Sequence, residues 1–133
     1  MTQEQKELLL KDISARLPYG VKVNNEIQGD FTVYGICENF IYGRSEVCHI
    51  DFAVEKVKPY LFPLDSITIE QERELSKLGV SYCEYALHDD TRGLGIMVDE
   101  AYIFFEYCYK HHIDFLGLID MGIAIDATGK NIY

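Results

Sequence analysis

Residues 47–54, VCHIDFAV, alternate apolar and polar side chains at a period of two. That pattern puts Cys48, Ile50, Phe52 and Val54 on one face of an extended strand and His49 and Asp51 on the other. The neighbouring stretches are of the same kind. VKVNNEI (21–27) carries Val21, Val23 and Ile27 at even spacing, QGD (28–30) reads as a turn, and FTVYGIC (31–37) is rich in β-branched and aromatic residues, with Gly35 placed for a bulge. ENFIYGRSE (38–46) suits a hairpin. KVKPYLFPL (56–64) reads as a further strand with prolines at its edges. A block of this kind demands a sheet, and the flanking segments must cover it.

Those segments read as helices. T-Q-E-Q at Thr2 is a capping box, and Leu9, Leu10, Ile13 and Leu17 follow at helical spacing, with Glu4, Glu7, Lys11 and Asp12 assigned to the polar side. Pro18 and Gly20 stop a helix over about 2–16. T-I-E-Q at Thr68 opens a second helix that closes at Gly79. Residues 80–87 suit a short strand and RGLG (92–95) a turn. A third helix is expected over about 98–112, with Val98, Ala101, Tyr102, Phe105, Cys108 and Tyr109 as its apolar stripe. A short turn or helix (115–121) and a last strand at 122–126 complete the order α-β-β-β-β-α-α-β. The fold class is α+β: one domain over 1–133, with a small curved antiparallel sheet or barrel packed against an N-terminal helix and two or three C-terminal helices.

Composition narrows the function classes. Apolar residues make up 48% of the 133, enough for a core and too many for disorder. No apolar run spans a bilayer, and MTQEQKELLL lacks the features of a signal peptide, so no membrane association and a cytoplasmic setting are expected. Cys37, Cys48, Cys83 and Cys108 show no paired spacing and suit free thiols of a reducing compartment. With 22 acidic against 12 basic residues the net charge is −10, which disfavours direct nucleic-acid binding and favours a protein partner with a basic patch.

Four groups of residues could carry chemistry. Cys108, His111, His112 and Asp114 have ligand-compatible spacing, but zinc needs four ligands, or three and water, and nothing nearby completes the set. The plainer reading makes Cys108 a small hydrophobe, places His111 and His112 in a last helical turn that favours a partly positive imidazole, and makes Asp114 the cap of the next turn. His49 and Asp51 could form a base pair for catalysis, yet Cys48 points to the opposite face, and a solvated strand face explains them more simply. HDD (88–90) with Asp99 and Glu100 lacks a calcium-loop pattern, and the GxG at 93–95 lacks the rest of a phosphate loop. No metal and no cofactor are therefore expected. Ten tyrosines and no tryptophan complete the picture. Tyr19, Tyr60, Phe62 and Asp65, clustered around prolines, are candidates for a protein-binding surface, since tyrosine is favoured at interfaces.

LLLKDISARLPYGVKV (8–23), VKPYLFPLDSIT (57–68) and HHIDFLGLIDMGIAI (111–125) resemble shared segments of small uncharacterised proteins of Bacteroides and related gut bacteria, often carried in prophages and mobile elements. The family wording is close to ARLPYGV, KPYLFPLSSMT, HHFDYRGLI and KGLAI. Here Asp65 stands for a serine and Leu116 for an arginine. The resemblance implies a phage or mobile-element accessory protein, and it carries no activity, substrate or cofactor with it. Composition and resemblance together favour a non-enzymatic acidic protein-binding module. The alternatives are a small metal-dependent or His-based hydrolase centred on His111, His112 and Asp114, with His49, and a small-ligand-sequestering or virion structural protein.

Overall fold

Two capping boxes start the first two helices. The Thr2 hydroxyl accepts from the Gln5 main-chain N–H at 3.1 Å, and the Gln5 side chain accepts from the Thr2 N–H at 3.0 Å. Helix α1 then runs Gln3–Arg16. Thr68 and Gln71 repeat the exchange at the same distances, and α2 runs Ile69–Lys77, followed by Gly79 at φ 95°. Helix α3 is Val98–Lys110. The computed structural model describes residues 1–79 and 98–133, with main chain alone at 98–100. The strand expected at 80–87, Cys83, the acidic group at 88–90 with Asp99 and Glu100, and the GxG lie outside the described residues or side chains.

The strands are β1 (Lys22–Asn25), β2 (Gly29–Cys37), β3 (Phe40–Arg44), β4 (His49–Ala53), β5 (Lys58–Pro63), β6 (Ile113–Asp114) and β7 (Ile125–Asp126). They lie in the order β4-β3-β2-β1-β5-β6, with β7 also on β5. The first five pair antiparallel, while β6 and β7 join β5 in parallel. The sheet is mostly antiparallel and does not close into a barrel. The expected bulge appears as a register shift between Val33 and Gly35. Gly43 is required by a close approach: a Cβ there would meet the Phe31 Cβ at 2.8 Å.

Leu9 and Ile13 of α1 pack on Val21, Val23, Phe31, Val33, Ile41 and Phe52, with Leu118, Ile123 and Ala124 closing the same core. A second cluster joins Leu64 and Leu75 to Phe104, Tyr107, Cys108, Ile113 and Phe115. Leu116 touches both clusters. No helix of the described residues is long and apolar enough to cross a membrane.

Several expectations are corrected. Asp12 is not on the polar side of α1; it is fully buried, as is Arg16. The β1–β2 turn is residues 26–28 rather than 28–30, so Ile27 sits at its tip, 89% exposed, and off the Val21–Val23 face. The face of α3 is rotated: Phe104, Tyr107 and Cys108 are buried, while Tyr102 is 71% exposed. A stripe of aromatics on two sides of a helix leaves the buried side to be chosen by the neighbours, here α2 and β6. The prolines do fall at the two ends of β5, as expected, yet the strand is flanked on both sides. Pro59 pairs with Val23 on one side, and Pro63 with Asp114 on the other. The ladder survives because Phe62 and Ala127 supply N–H groups, to His112 O and Leu61 O, at 2.8 Å each.

Candidate functional site

The site grows from an ion pair inside the molecule. Arg16 Nε and Nη2 donate to the two carboxylate oxygens of Asp12 at 2.8 and 3.0 Å. The same guanidinium donates to Cys108 O at 3.1 Å and Ile113 O at 2.8 Å. It also lies over the Tyr109 ring, 5.2 Å from the centroid. One side chain therefore ties α1 to the carbonyl end of α3 and to β6. Burial pushes the Asp12 carboxyl above its ordinary value, and Arg16 pulls against that rise. Leu9, Asp12, Ile13 and Arg16 are the buried residues of α1. They fall at i, i+3, i+4 and i+7, and that stripe was the signal that could have found the pair.

Arg16 fixes the chain that leaves α3. His112 takes the left-handed conformation, φ 59°, which ends the helix and turns the main chain alongside β5. Its imidazole is buried, 6% exposed, and the Tyr133 ring lies flat against it, with centroids 3.8 Å apart and planes 9° apart. The Tyr133 hydroxyl accepts from Lys22 N–H at 2.9 Å and donates to Tyr60 O at 2.8 Å. Lys22 Nζ donates to Ile132 O at 2.9 Å. Burial first, then the Arg16 charge, lowers the His112 pKa to about 4, while a hydrogen bond with the Tyr19 main chain pulls the other way. Burial also lowers His111. Both shifts favour the neutral imidazole, most strongly at His112, against the expectation of a partly positive pair at the helix end. Nδ1 of His112 is the one buried side-chain nitrogen or oxygen among the described residues with no hydrogen-bond partner. An orphan of that kind costs roughly 1–3 kcal/mol.

Asp114 does cap the turn that follows. Its Oδ1 accepts from the N–H groups of Gly117 at 2.9 Å and Leu118 at 3.0 Å, and its Oδ2 accepts from Ile119 at 2.9 Å. Both oxygens are committed to the main chain, so the carboxylate is not placed to orient an imidazole. Cys108 is fully buried, and burial raises its thiol to about 12, which suits a packed hydrophobe and not a thiolate nucleophile.

Beside His112 opens a groove of about 660 Å³. Phe62 and Ile113 line its β5–β6 side, Ser66, Thr68 and Gln71 the amino end of α2, and Lys110, His111 and His112 the end of α3. Thr128, Gly129 and Tyr133 complete the rim. A neighbouring cleft between α2 and α3 shares Lys110 and His111 and includes Tyr19.

The fold thus brings together residues that the sequence leaves in separate groups. His111, His112 and Phe62 share the groove, and Asp65 is exposed in the turn between Phe62 and Ser66. Tyr60 is packed, 7% exposed, with its hydroxyl donating to Asp30 at 2.7 Å, so its ring is not offered to a partner. His49 stands apart on β4, at the far end of the strand order from β6, where it packs edge-on to Tyr34 at 5.5 Å. It does not join His111 and His112. Among the described residues no three of His, Cys, Asp and Glu converge as a metal site would need. The stretches 8–23, 57–68 and 111–125 meet here through Arg16, Phe62 and His112. Comparison with protein-family models, with curated proteins and with solved structures finds no match.

Proposed function

We propose that the protein is a non-enzymatic accessory module of a phage or mobile element, which acts in the bacterial cytoplasm by binding a protein partner that carries a basic patch. The observation that carries the reading is the corner between β5 and α2. Ile69 is 67% exposed in the first turn of α2, and the exposed carboxylates of Asp65 and Glu70 flank it in the chain. Phe62, half-buried, precedes them. Among the described residues the ion pairs are Lys6–Glu55 and Arg16–Asp12, so neither carboxylate of the corner has a cation partner among those residues. A large exposed aliphatic group beside unpaired carboxylates suits a basic surface with an apolar centre. The net charge of −10 would steer such a partner in. Cys37 and Cys48 are exposed free thiols, in keeping with a reducing compartment.

The test is a capture experiment from Bacteroides lysate with the tagged protein and two variants, Ile69→Ala and the double Asp65→Lys, Glu70→Lys. The wild type should retain one stoichiometric protein. Affinity for that purified partner should fall about tenfold or more in each variant, and with rising salt. Capture of nothing at low salt, or a partner indifferent to both variants, sinks the reading.

A further inference from the structure

The groove beside His112 holds chemistry that a protein-docking corner does not need. His112 is buried to more than nine-tenths, and its Nδ1 has no partner. Its ring nitrogen bond to the Tyr19 main chain and its neutrality leave Nδ1 with a free lone pair, an acceptor that lacks a donor. On the same groove, Lys110 places an exposed ammonium with no ion-pair partner among the described residues. Thr68 and Gln71 bring the amino end of α2, a nine-residue helix whose dipole favours an anion but whose first turn already holds Glu70 and Glu72, so that Lys110 is the main attraction for one. The Tyr133 ring that covers one face of the imidazole is 44% exposed, packs also against Phe62, and is held by its hydroxyl and a neighbouring carbonyl.

We propose that this groove is a binding site for a small oxyanion, a carboxylate or a phosphate ester, that also carries an O–H or N–H donor. Lys110 and the amino end of α2 take the anion. The donor approaches the lone pair of His112 Nδ1 in the plane of the imidazole, from the groove side, with the Tyr133 ring left on the face of the ring. The groove volume, about 660 Å³, suits a ligand of metabolite size. The groove shares Phe62 and the first turn of α2 with the exposed corner at Ile69.

The test uses the full chain, labelled with ¹⁵N, and four probes: glycerol 3-phosphate, methyl phosphate, glycolate and acetate. The first and third carry a hydroxyl donor beside the anion, and the second and fourth supply the anion alone at neutral pH. Binding of a donor-bearing probe should move the unprotonated ring nitrogen signal of His112 together with the amides of Thr68–Gln71. The phosphate and carboxylate arms separate the two anion classes. Lys110→Gln, an exposed substitution that leaves the core untouched, should weaken that probe about tenfold. Silence of His112 towards all four probes overturns the site, and so does binding that Lys110→Gln leaves unchanged. Equal binding of a probe and its donor-free partner overturns the role of Nδ1.

Discussion

Replacing Arg16 by methionine tests the central contact directly. The substitution keeps an unbranched apolar stem and removes the guanidinium. It leaves the Asp12 carboxylate fully buried without a counter-ion and takes the donors from Cys108 O and Ile113 O. Breaking a buried pair from one side costs about 3–5 kcal/mol. The two abandoned carbonyls add to that, at about 1–3 kcal/mol each before relaxation. A loss of at least about 5 kcal/mol is expected, a large share of the 5–15 kcal/mol typical of a domain. For a chain of this length that corresponds to a Tm lower by roughly 20 °C. Urea unfolding followed by far-UV circular dichroism at neutral pH gives the number. The double variant Asp12→Leu, Arg16→Met removes the stranded charge but not the two-carbonyl deficit, so it should recover to within about 2–6 kcal/mol of wild type and be more stable than the single variant. If Arg16→Met costs less than about 1 kcal/mol, or if the double variant is no better than the single, the ion pair does not hold α1 to α3 as argued.

Two further outcomes follow from the same region. Asp114→Ala removes the acceptor of three main-chain N–H groups and should cost about 2–3 kcal/mol in the same urea assay, with Asp114→Asn costing less because one oxygen remains; equal stability of all three proteins would refute the capping role. The lowered pKa of His112 means that the unfolded chain binds a proton that the folded chain refuses between the ordinary 6.5 and about 4. That contribution is complete above about pH 6.5 and is lost as the pH falls towards 4, by up to about 3 kcal/mol. His111, also lowered, acts in the same direction, while the raised Asp12 opposes it. Proton NMR should place the His112 midpoint near 4, and His112→Asn should flatten the acid limb of stability; a midpoint near 6.5 would show that the ring is not held neutral.

What was legible before the structure was local. Both capping boxes form as read, because Thr2 with Gln5 and Thr68 with Gln71 satisfy each other within one turn. The β2–β3–β4 meander and the bulge at Gly35 follow from alternation and from one glycine. The capping role of Asp114 was legible for the same reason, its acceptors and donors lying within five residues. Asp12 was misplaced because a charge on a helix is ordinarily solvated. Its burial depends on carbonyls supplied 92 and 97 residues beyond Arg16. Tyr60 was read as an interface residue because an aromatic between prolines looks presented, but its side chain packs back on the sheet, with its hydroxyl donating to Asp30 of β2.

The sequence by itself determined the α+β class, the helix starts and the strand-rich middle, since capping, alternation and glycine conformations are decided by neighbours in the chain. Tertiary structure decided which polar groups went inside. A buried Asp–Arg pair, a neutral His112 under Tyr133, and a groove shared by β5, α2 and the end of α3 each need partners far apart in the chain. The energy of a buried charge or an unpaired nitrogen depends on what surrounds it, and that surrounding exists only once the segments have packed.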